Sequence, residues 1–428
     1  MNKKVAFKTL GCRLNQYETD CLVSEFYHAG YQVVDFRDKA DVYIINTCTV
    51  TNQSDKKSRN LIHQATRNND STIIIVTGCM VDNYKDRLDQ IPGNLYYVDN
   101  IRKSSVLELV ETHFRGEVRN PDLLNPGAFS FTPADTTFHT RSLIKIQDGC
   151  DHYCTYCIVP FVRGKAVSRP VQDIITNVHQ VIEFGFREIV LTGVNIGRYY
   201  AEGTTFEDLV EKILDLPGDF RMRISSIEPE GFGDKLISLF NHPKLMPHLH
   251  LCLQSGSESI LLKMRRMYSL PDFVNIIDRV KKNYPDFNFT TDIIVGFPGE
   301  SDEDFNMTCK IVKEIGFSHI HTFKYSRRTG TRADRMPDQI PERIKNERSE
   351  IIRRISVENK RAFRRSLVGK EQIVLVEKVR GKTGWGYGEL YVPVEFRHPE
   401  AKENMLRRVK LTGLGEGDDP VLLGKDEG

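Results

Sequence analysis

Six of the nine cysteines stand where their spacing or setting could do chemistry. Three lie in DGCDHYCTYCIVP at 148–160, where Cys150, Cys154 and Cys157 are spaced C-x3-C-x2-C. A structural zinc takes four ligands, and a closed iron–sulfur cluster takes four thiolates. This run supplies three and stops, so one coordination position is left open. His152 is near, but it sits inside the loop between the first two cysteines, an awkward place for a fourth ligand. Soft thiolates suit iron–sulfur clusters as well as zinc, and zinc stands as the alternative.

The other three are Cys12 in TLGC, Cys48 in INTC and Cys79 in VTGC. Each directly follows a β-rich run. In a parallel sheet the carboxyl ends of the strands share one edge, where open α/β sheets bind ligands. Three thiols at that edge can converge on one ligand. The alternative is three small buried apolar residues. Cys21 on a helix, Cys252 in LHLCLQ and Cys309 on a helix stripe read as packing.

The elements that must position these thiols follow from periodicity. KVAFKTL, YQVVDF, DVYIIN, TIIIVTG and LYYVD are short β-rich runs with helical patterns between them, so residues 1–115 read as a doubly wound α/β domain. Residues 116–138 carry Pro and Gly without periodicity and read as a linker. From 139 the alternation restarts with SLIKIQ, REIVLTG, RMRISSI, HLHLCLQ, FTTDIIVG and SHIHTFKY. A six-fold β/α repeat over 139–365 suggests an open barrel, three-quarters of an eightfold one, with Cys150, Cys154 and Cys157 on its catalytic face. Residues 366–428 hold short strands with Gly-rich turns and read as a small all-β barrel.

Composition bounds the rest. The chain has 428 residues, 39% hydrophobic and 28% charged, which fits two to four globular domains. No apolar run is long enough for a membrane span, and the start MNKKVAFKTLGC is no signal peptide, so no membrane partner and a cytoplasmic location are expected. Thiols stay reduced there, and clustered cysteines point to metal or catalysis. The net charge is only +2, so a nucleic-acid site must be local. Lys324 to Arg365 holds fourteen Lys and Arg against six acids, a block that either attracts phosphates or solvates a helix face.

With these motifs in hand, the chain resembles the radical S-adenosylmethionine (SAM) methylthiotransferases over nearly its whole length. The resemblance rests on C-x3-C-x2-C, on TLGCRLNQYE at 9–18, INTCTVT at 45–51 and TGC at 77–79. It also rests on LQSGS at 253–257, DIIVGFPGE at 292–300 and FKYSRRTGT at 323–331. It implies a [4Fe–4S] cluster on Cys150, Cys154 and Cys157, whose open iron SAM chelates before yielding a hydrogen-abstracting radical. Tyr156 fits the same pattern. It implies a second [4Fe–4S] cluster on Cys12, Cys48 and Cys79 that carries the sulfur, and a terminal barrel like the small RNA-binding TRAM domain. The stretches GCRLNQYETD, ADVYIINTCTVTNQSDKKSRN, QDGCDHYCTYCIVPFVRGKAVSR and RISSIEPEGF look most like the branch that modifies N6-threonylcarbamoyladenosine 37 in the tRNA anticodon stem-loop. Other branches act on isopentenyladenosine 37 or on a ribosomal-protein aspartate.

On that reading Thr192, Gly193, Asn195, Ser225, Glu228 and Gln254, at successive strand ends, are candidate SAM contacts, and Gly296 and Pro298 let backbone approach the adenine. Arg327, Arg328 and Arg332 are candidate substrate contacts, because a guanidinium is bidentate to phosphate and carboxylate alike. An electron donor such as flavodoxin or ferredoxin is implied. A non-catalytic, zinc-stabilised RNA-binding protein is the alternative of another class.

Overall fold

The structure is a computed structural model that describes residues 3–67, 72–88, 94–117, 119–135, 139–230, 232–398 and 400–427. The chain opens with five parallel strands, β1 Lys4–Thr9, β2 Gln32–Val34, β3 Val42–Thr47, β4 Ile73–Gly78 and β5 Asn94–Val98, in the order β2-β1-β3-β4-β5. β3 and β4 are buried along their whole length. Their apolar runs face two layers: Val42 and Ile44 pack into one core, Tyr43 and Ile45 into another. That is how a parallel sheet covered on both faces reads in sequence. Strand order reverses between β1 and β3, the place where this topology opens a crevice at the carboxyl ends.

The segment read as a linker carries one short helical turn, Pro121–Leu123, and Leu124 and Phe131 pack into the first of those cores. It is therefore a strap held to the α/β domain rather than a free tether. Residues 118 and 136–138 of that segment, and Gly231 of RISSIEPEGF, lie outside the described residues.

Six parallel strands follow: Ser142–Lys145, Glu188–Thr192, Arg221–Ile224 continuing in Ser226–Ile227, His248–Leu251, Asn288–Val295 and His319–Lys324. The first three pair with one another. The short Ser226–Ile227 piece pairs with the fourth strand, which pairs onward to the fifth and sixth. A bridge from Met222 to Leu245 spans the break. Amphipathic helices lie between the strands, and capping boxes at Thr205/Asp208, Ser269/Asp272 and Ser301/Asp304 fix where three of them begin. Alternation sorts the side chains. Leu249, Leu251, Phe289, Ile293 and Ile320 go to the core under the helices, while His248, His250, Asp292 and His321 do not.

The long helix Glu342–Ser366 packs on the last of these strands and leads into a closed five-stranded barrel. No helix of the described residues is long and apolar enough to cross a membrane.

The basic block of 324–365 looks different in three dimensions. Nine of its fourteen cations sit in ion pairs, for example Arg348 with Glu300 and Asp302, and Lys360 and Arg364 with Asp419. Arg332, Arg335, Arg353, Arg354 and Arg365 are exposed, with no ion pair among the described residues. The block is chiefly structural, and its unpaired part reduces to those five arginines.

Candidate active site between two cysteine triads

The α/β domain brings its three cysteines to one edge. Cys48 directly follows β3, Cys79 directly follows β4, and the register pairs Thr47 with Gly78. Cys12 leads into the helix Arg13–His28 just after β1. Two glycines make the approach possible. Gly11 has φ +98°, and a Cβ there would lie 2.9 Å from the Cys48 Cβ. Gly78 has φ +93°, and a Cβ would lie 2.4 Å from the Thr47 carbonyl oxygen. Only glycine takes such backbone without strain. Burial pushes the Cys48 thiol up and the Cys79 thiol up to about 11, with the Arg163 charge the largest effect opposing it on Cys79.

The second triad lies in the loop after the first strand of the central unit. Backbone bonds shape it: Cys150 N donates to Gly164 O at 3.1 Å, Cys157 N to Cys154 O at 2.9 Å, and Thr155 N to Met264 O at 3.0 Å. Burial raises the Cys150 thiol, and raises that of Cys157 to about 12. At Cys154 burial also acts upward, but His152 and Arg266 outweigh it and hold the thiol below its ordinary value. Arg266 donates to Cys154 Sγ at 3.4 Å and pairs with Glu228. His152, raised to about 9 by Cys154 and by Glu230 at 3.1 Å, supplies a second positive charge.

Side-chain contacts join the two cysteine-bearing segments. Cys79 packs against Ile158, which directly follows Cys157, and Val162, four residues further on. Asn100 donates to the Val162 carbonyl at 3.0 Å and lies 3.7 Å from Cys79 Sγ. Arg163 donates to Asp148 at 3.0 Å, to Glu18 at 3.1 Å and to Asn15 at 2.6 Å. Glu18, fully buried, also pairs with Lys103 at 2.5 Å and Lys145 at 2.8 Å. Burial would raise its pKa, but Arg163, Lys103 and Lys145 together hold it well below the ordinary carboxylate range. Asn15 and Glu18 of the LNQYE stretch therefore bind the α/β domain to the cysteine loop of the central unit.

The remaining expected site residues fall at several distances from the thiols. Asn195 sits 3.3 Å from the His152 ring and so borders the cysteine loop. Glu228 reaches Cys154 only through Arg266, and the Tyr156 hydroxyl accepts from the same guanidinium at 3.5 Å. Thr192 and Ser225 are buried at strand ends. Gly193 is packed against Ile196 and Gln147. Gln254 takes φ +66° where the fourth strand ends and bridges to Ile293, a strained position of the kind found at binding sites. Pro298 is buried, and Gly296 faces the Lys345 side chain, which takes the space a Cβ would need. Arg328 is not a free cation. It is 2% exposed, pairs with Asp55 at 2.8 Å and donates to Thr49 at 2.7 Å, so it clamps the two domains together. Arg327 pairs with Asp334 at 2.9 Å. Arg332 is exposed, next to Ala333, whose N–H donates to the Thr155 carbonyl at 2.8 Å. Cys252 is buried, as a packing residue would be, but it shares the interior with His250 and Asp292. Arg163 and Arg266 carry no sequence signal of their own beyond lying near the cysteines or the LQSGS stretch.

Residues 4–98 match the model of uncharacterized protein family UPF0004, and residues 144–312 that of the radical SAM superfamily. The chain is 36% identical over 401 residues to the threonylcarbamoyladenosine tRNA methylthiotransferase MtaB of Thermotoga maritima, covering 92% of this chain and 91% of that protein. It is 36% identical over 427 residues to MtaB of Bacillus subtilis, covering 96% and 94%. The chain belongs to the tRNA methylthiotransferase family. Among solved structures, the radical SAM methyltransferase TsrM of Kitasatospora setae, with cobalamin and a [4Fe–4S] cluster bound, is 14% identical. It superposes with a TM-score of 0.55 over 78% of this chain and 77% of that one, a likeness of fold.

Membership of the radical SAM superfamily implies a [4Fe–4S] cluster and SAM. The thiols of this methylthiotransferase fit a cluster better than a single ion. Tetrahedral zinc, with Zn–S bonds of about 2.3 Å, holds its thiolates about 3.8 Å apart. Among the described residues, the only three His, Cys, Asp or Glu ligand atoms within 4.8 Å of one another belong to His250, Cys252 and Asp292. Neither triad is drawn in to single-ion spacing. A cluster places each thiolate on a different iron and accepts a wider set.

Proposed function

We propose that this protein replaces the C2 hydrogen of N6-threonylcarbamoyladenosine 37 in the tRNA anticodon stem-loop with a methylthio group. The observation that carries the reading is the joining of the two cysteine triads through Arg163 and the Cys79–Ile158–Val162 contact. A methylthiolation needs a hydrogen removed and a sulfur group supplied at the same carbon, so both agents must share one cavity. When bound, a [4Fe–4S] cluster with SAM on Cys150, Cys154 and Cys157 supplies the one-electron chemistry an aromatic C–H bond requires, and a second on Cys12, Cys48 and Cys79 supplies sulfur.

The chain's own residues do the rest. His152 and Arg266 lower the basicity of Cys154 and so favour the thiolate that ligates, and Arg163 places positive charge beside Cys79 and Cys12. Ile158 and Val162 keep water from the seam. Asn195, Tyr156 and Gln254 border the cysteine loop or the adjoining strand ends, where SAM would lie. In our reading the six-stranded unit is the open (β/α)6 barrel of radical SAM enzymes, and the closed terminal barrel acts as a TRAM-like RNA-binding domain. Arg332 at the rim, with Arg335, Arg353, Arg354 and Arg365 on the outer surface, meets tRNA phosphates. An anticodon-loop base can be splayed into the site without melting a duplex. Electrons come from a carrier such as flavodoxin or ferredoxin.

The test is anaerobic incubation of reconstituted protein with SAM, reductant and tRNA bearing threonylcarbamoyladenosine, followed by mass spectrometry of nucleosides. The expected product is heavier by one methylthio group in place of one hydrogen. Formation of 5′-deoxyadenosine without that product would leave the chemistry and remove the substrate. Iron analysis of a Cys12→Ala/Cys48→Ala/Cys79→Ala variant gives half the wild-type iron if each triad holds one cluster.

A further inference from the structure

The interior of the six-stranded unit is polar. Inward positions of its last three strands carry His248, His250, Thr290, Asp292, His319 and His321. Thr290 links two of these imidazoles, lying 3.0 Å from His250 Nδ1 and 3.4 Å from His248 Nε2. His321 stands 5.5 Å from the His250 ring. Asp292, the carboxylate on this wall, is engaged by His250 Nε2 at 3.2 Å. The Tyr391 ring enters from the terminal barrel and lies 4.8 Å from the His248 ring.

Most cations around this interior are matched. Arg221 and Arg223 pair with Glu188, Arg141 with Glu377, Lys145 with Glu18 and Asp148, and Arg266 with Glu228. Arg13 is not matched. It is half-buried and follows Cys12 directly, and its guanidinium donates to the Tyr391 hydroxyl at 3.4 Å. Among the described residues it has no ion pair. Burial lowers the basicity of His248 and His321, Arg223 adds to it at His248 and His250 at His321, and the Arg13 charge acts the same way on both. His248 is 3% exposed, and its Nδ1 is buried without a hydrogen-bond partner. An unmatched guanidinium beside an unmatched ring nitrogen is a site that lacks an anion.

We propose that Arg13, with the Tyr391 and His248 rings beside it, binds the carboxylate of the threonylcarbamoyl group and so selects the substrate. The inference rests on the function proposed above. It fits the size of the nucleobase, because C2 and the N6 substituent belong to one adenine. The residue that holds the substituent must stand within a side chain's reach of both cysteine triads, and Arg13 adjoins one of them. It also replaces Arg328, whose guanidinium is committed to Asp55.

The experiment measures binding of two anticodon stem-loops to the full-length, cluster-loaded protein. One carries threonylcarbamoyladenosine 37, and the other its methyl ester, which keeps the shape and removes the charge. Wild type should prefer the acid by about tenfold or more, the scale of a charge-assisted hydrogen bond. Arg13→Gln should lose that preference, and Arg13→Lys, which keeps the charge without the fork, should fall between. A glutamine variant with wild-type iron and undiminished preference overturns the inference and leaves the proposed function standing. Should that variant lose its iron, the lysine variant decides, and a preference equal to wild type overturns it. If wild type binds threonylcarbamoyladenosine and plain adenosine 37 equally and methylthiolates neither, the proposed function itself fails.

Discussion

Replacing Glu18 with glutamine tests the seam between the two cysteine-bearing units. Glu18 is fully buried and faces Lys103 at 2.5 Å, Lys145 at 2.8 Å and Arg163 at 3.1 Å. Glutamine keeps the volume and removes the charge. Lys145 and Arg163 retain Asp148, but the other hydrogen-bond partners of the Lys103 ammonium are the neutral Asn46 and Asn100 amide oxygens, at 3.1 and 3.0 Å. The variant therefore leaves one ammonium buried with no counter-charge. Breaking a buried pair this way costs about 3–5 kcal/mol, a large share of the roughly 5–15 kcal/mol that holds a typical domain folded. The assay is urea denaturation of the anaerobic protein followed by circular dichroism. We expect a lower midpoint, with the α/β domain melting apart from the rest, because the same residues join the units. Glu18→Gln/Lys103→Met should recover part of the loss, since it removes the uncompensated cation as well. A single variant within about 1 kcal/mol of wild type, or a double variant no better than the single, would refute the reasoning.

Arg328→Ala should cost about 3 kcal/mol by stranding Asp55, which is 3% exposed, and should lower the melting of the α/β domain and make it more protease-sensitive. Gly78→Ala puts a Cβ 2.4 Å from the Thr47 oxygen at a left-handed φ, so iron per chain should fall by about half while 5′-deoxyadenosine formation persists. Asp20 has its folded pKa raised to about 7 by burial, from an ordinary 3.8. Between those values the folded state binds the extra proton, so this contribution to stability is complete below 3.8 and is lost as pH rises through about 7. Asp20→Asn should accordingly stabilise the protein at pH 8, by an amount on the order of 1–3 kcal/mol, and change little at pH 4; a thermal melt at the two pH values checks it.

The elements that position the chemistry were legible because their signals are local. The five strands of the first domain and the six of the second announce themselves as β-rich runs, and the cysteines follow strand ends closely enough for topology to gather them. Partnership between distant charges has no such signal. Nothing in the sequence ties Glu18 to Lys103, Lys145 and Arg163, or Arg328 to Asp55, because a buried ion pair and a solvated surface use the same residue types. The basic block of 324–365 misleads for that reason. Composition gives its excess of charge, but the acids that neutralise much of it, such as Glu300, Asp302 and Asp419, lie outside it in the chain.

That distribution of charge has a functional consequence. If nine of the fourteen basic residues in the block are committed to protein carboxylates, few phosphates can be neutralised there. Each phosphate neutralised by Lys or Arg steepens the salt dependence of binding, so a small exposed set predicts a shallow one. Weak backbone attraction shifts the task of recognition to the base inside the site. A matched interior would gain nothing from an anionic substituent, because burying its charge among satisfied ion pairs is costly. The unmatched Arg13 beside His248 is the feature that would turn such burial from a penalty into discrimination, and on the proposed function its place next to Cys12 would put recognition and sulfur delivery within one residue of each other.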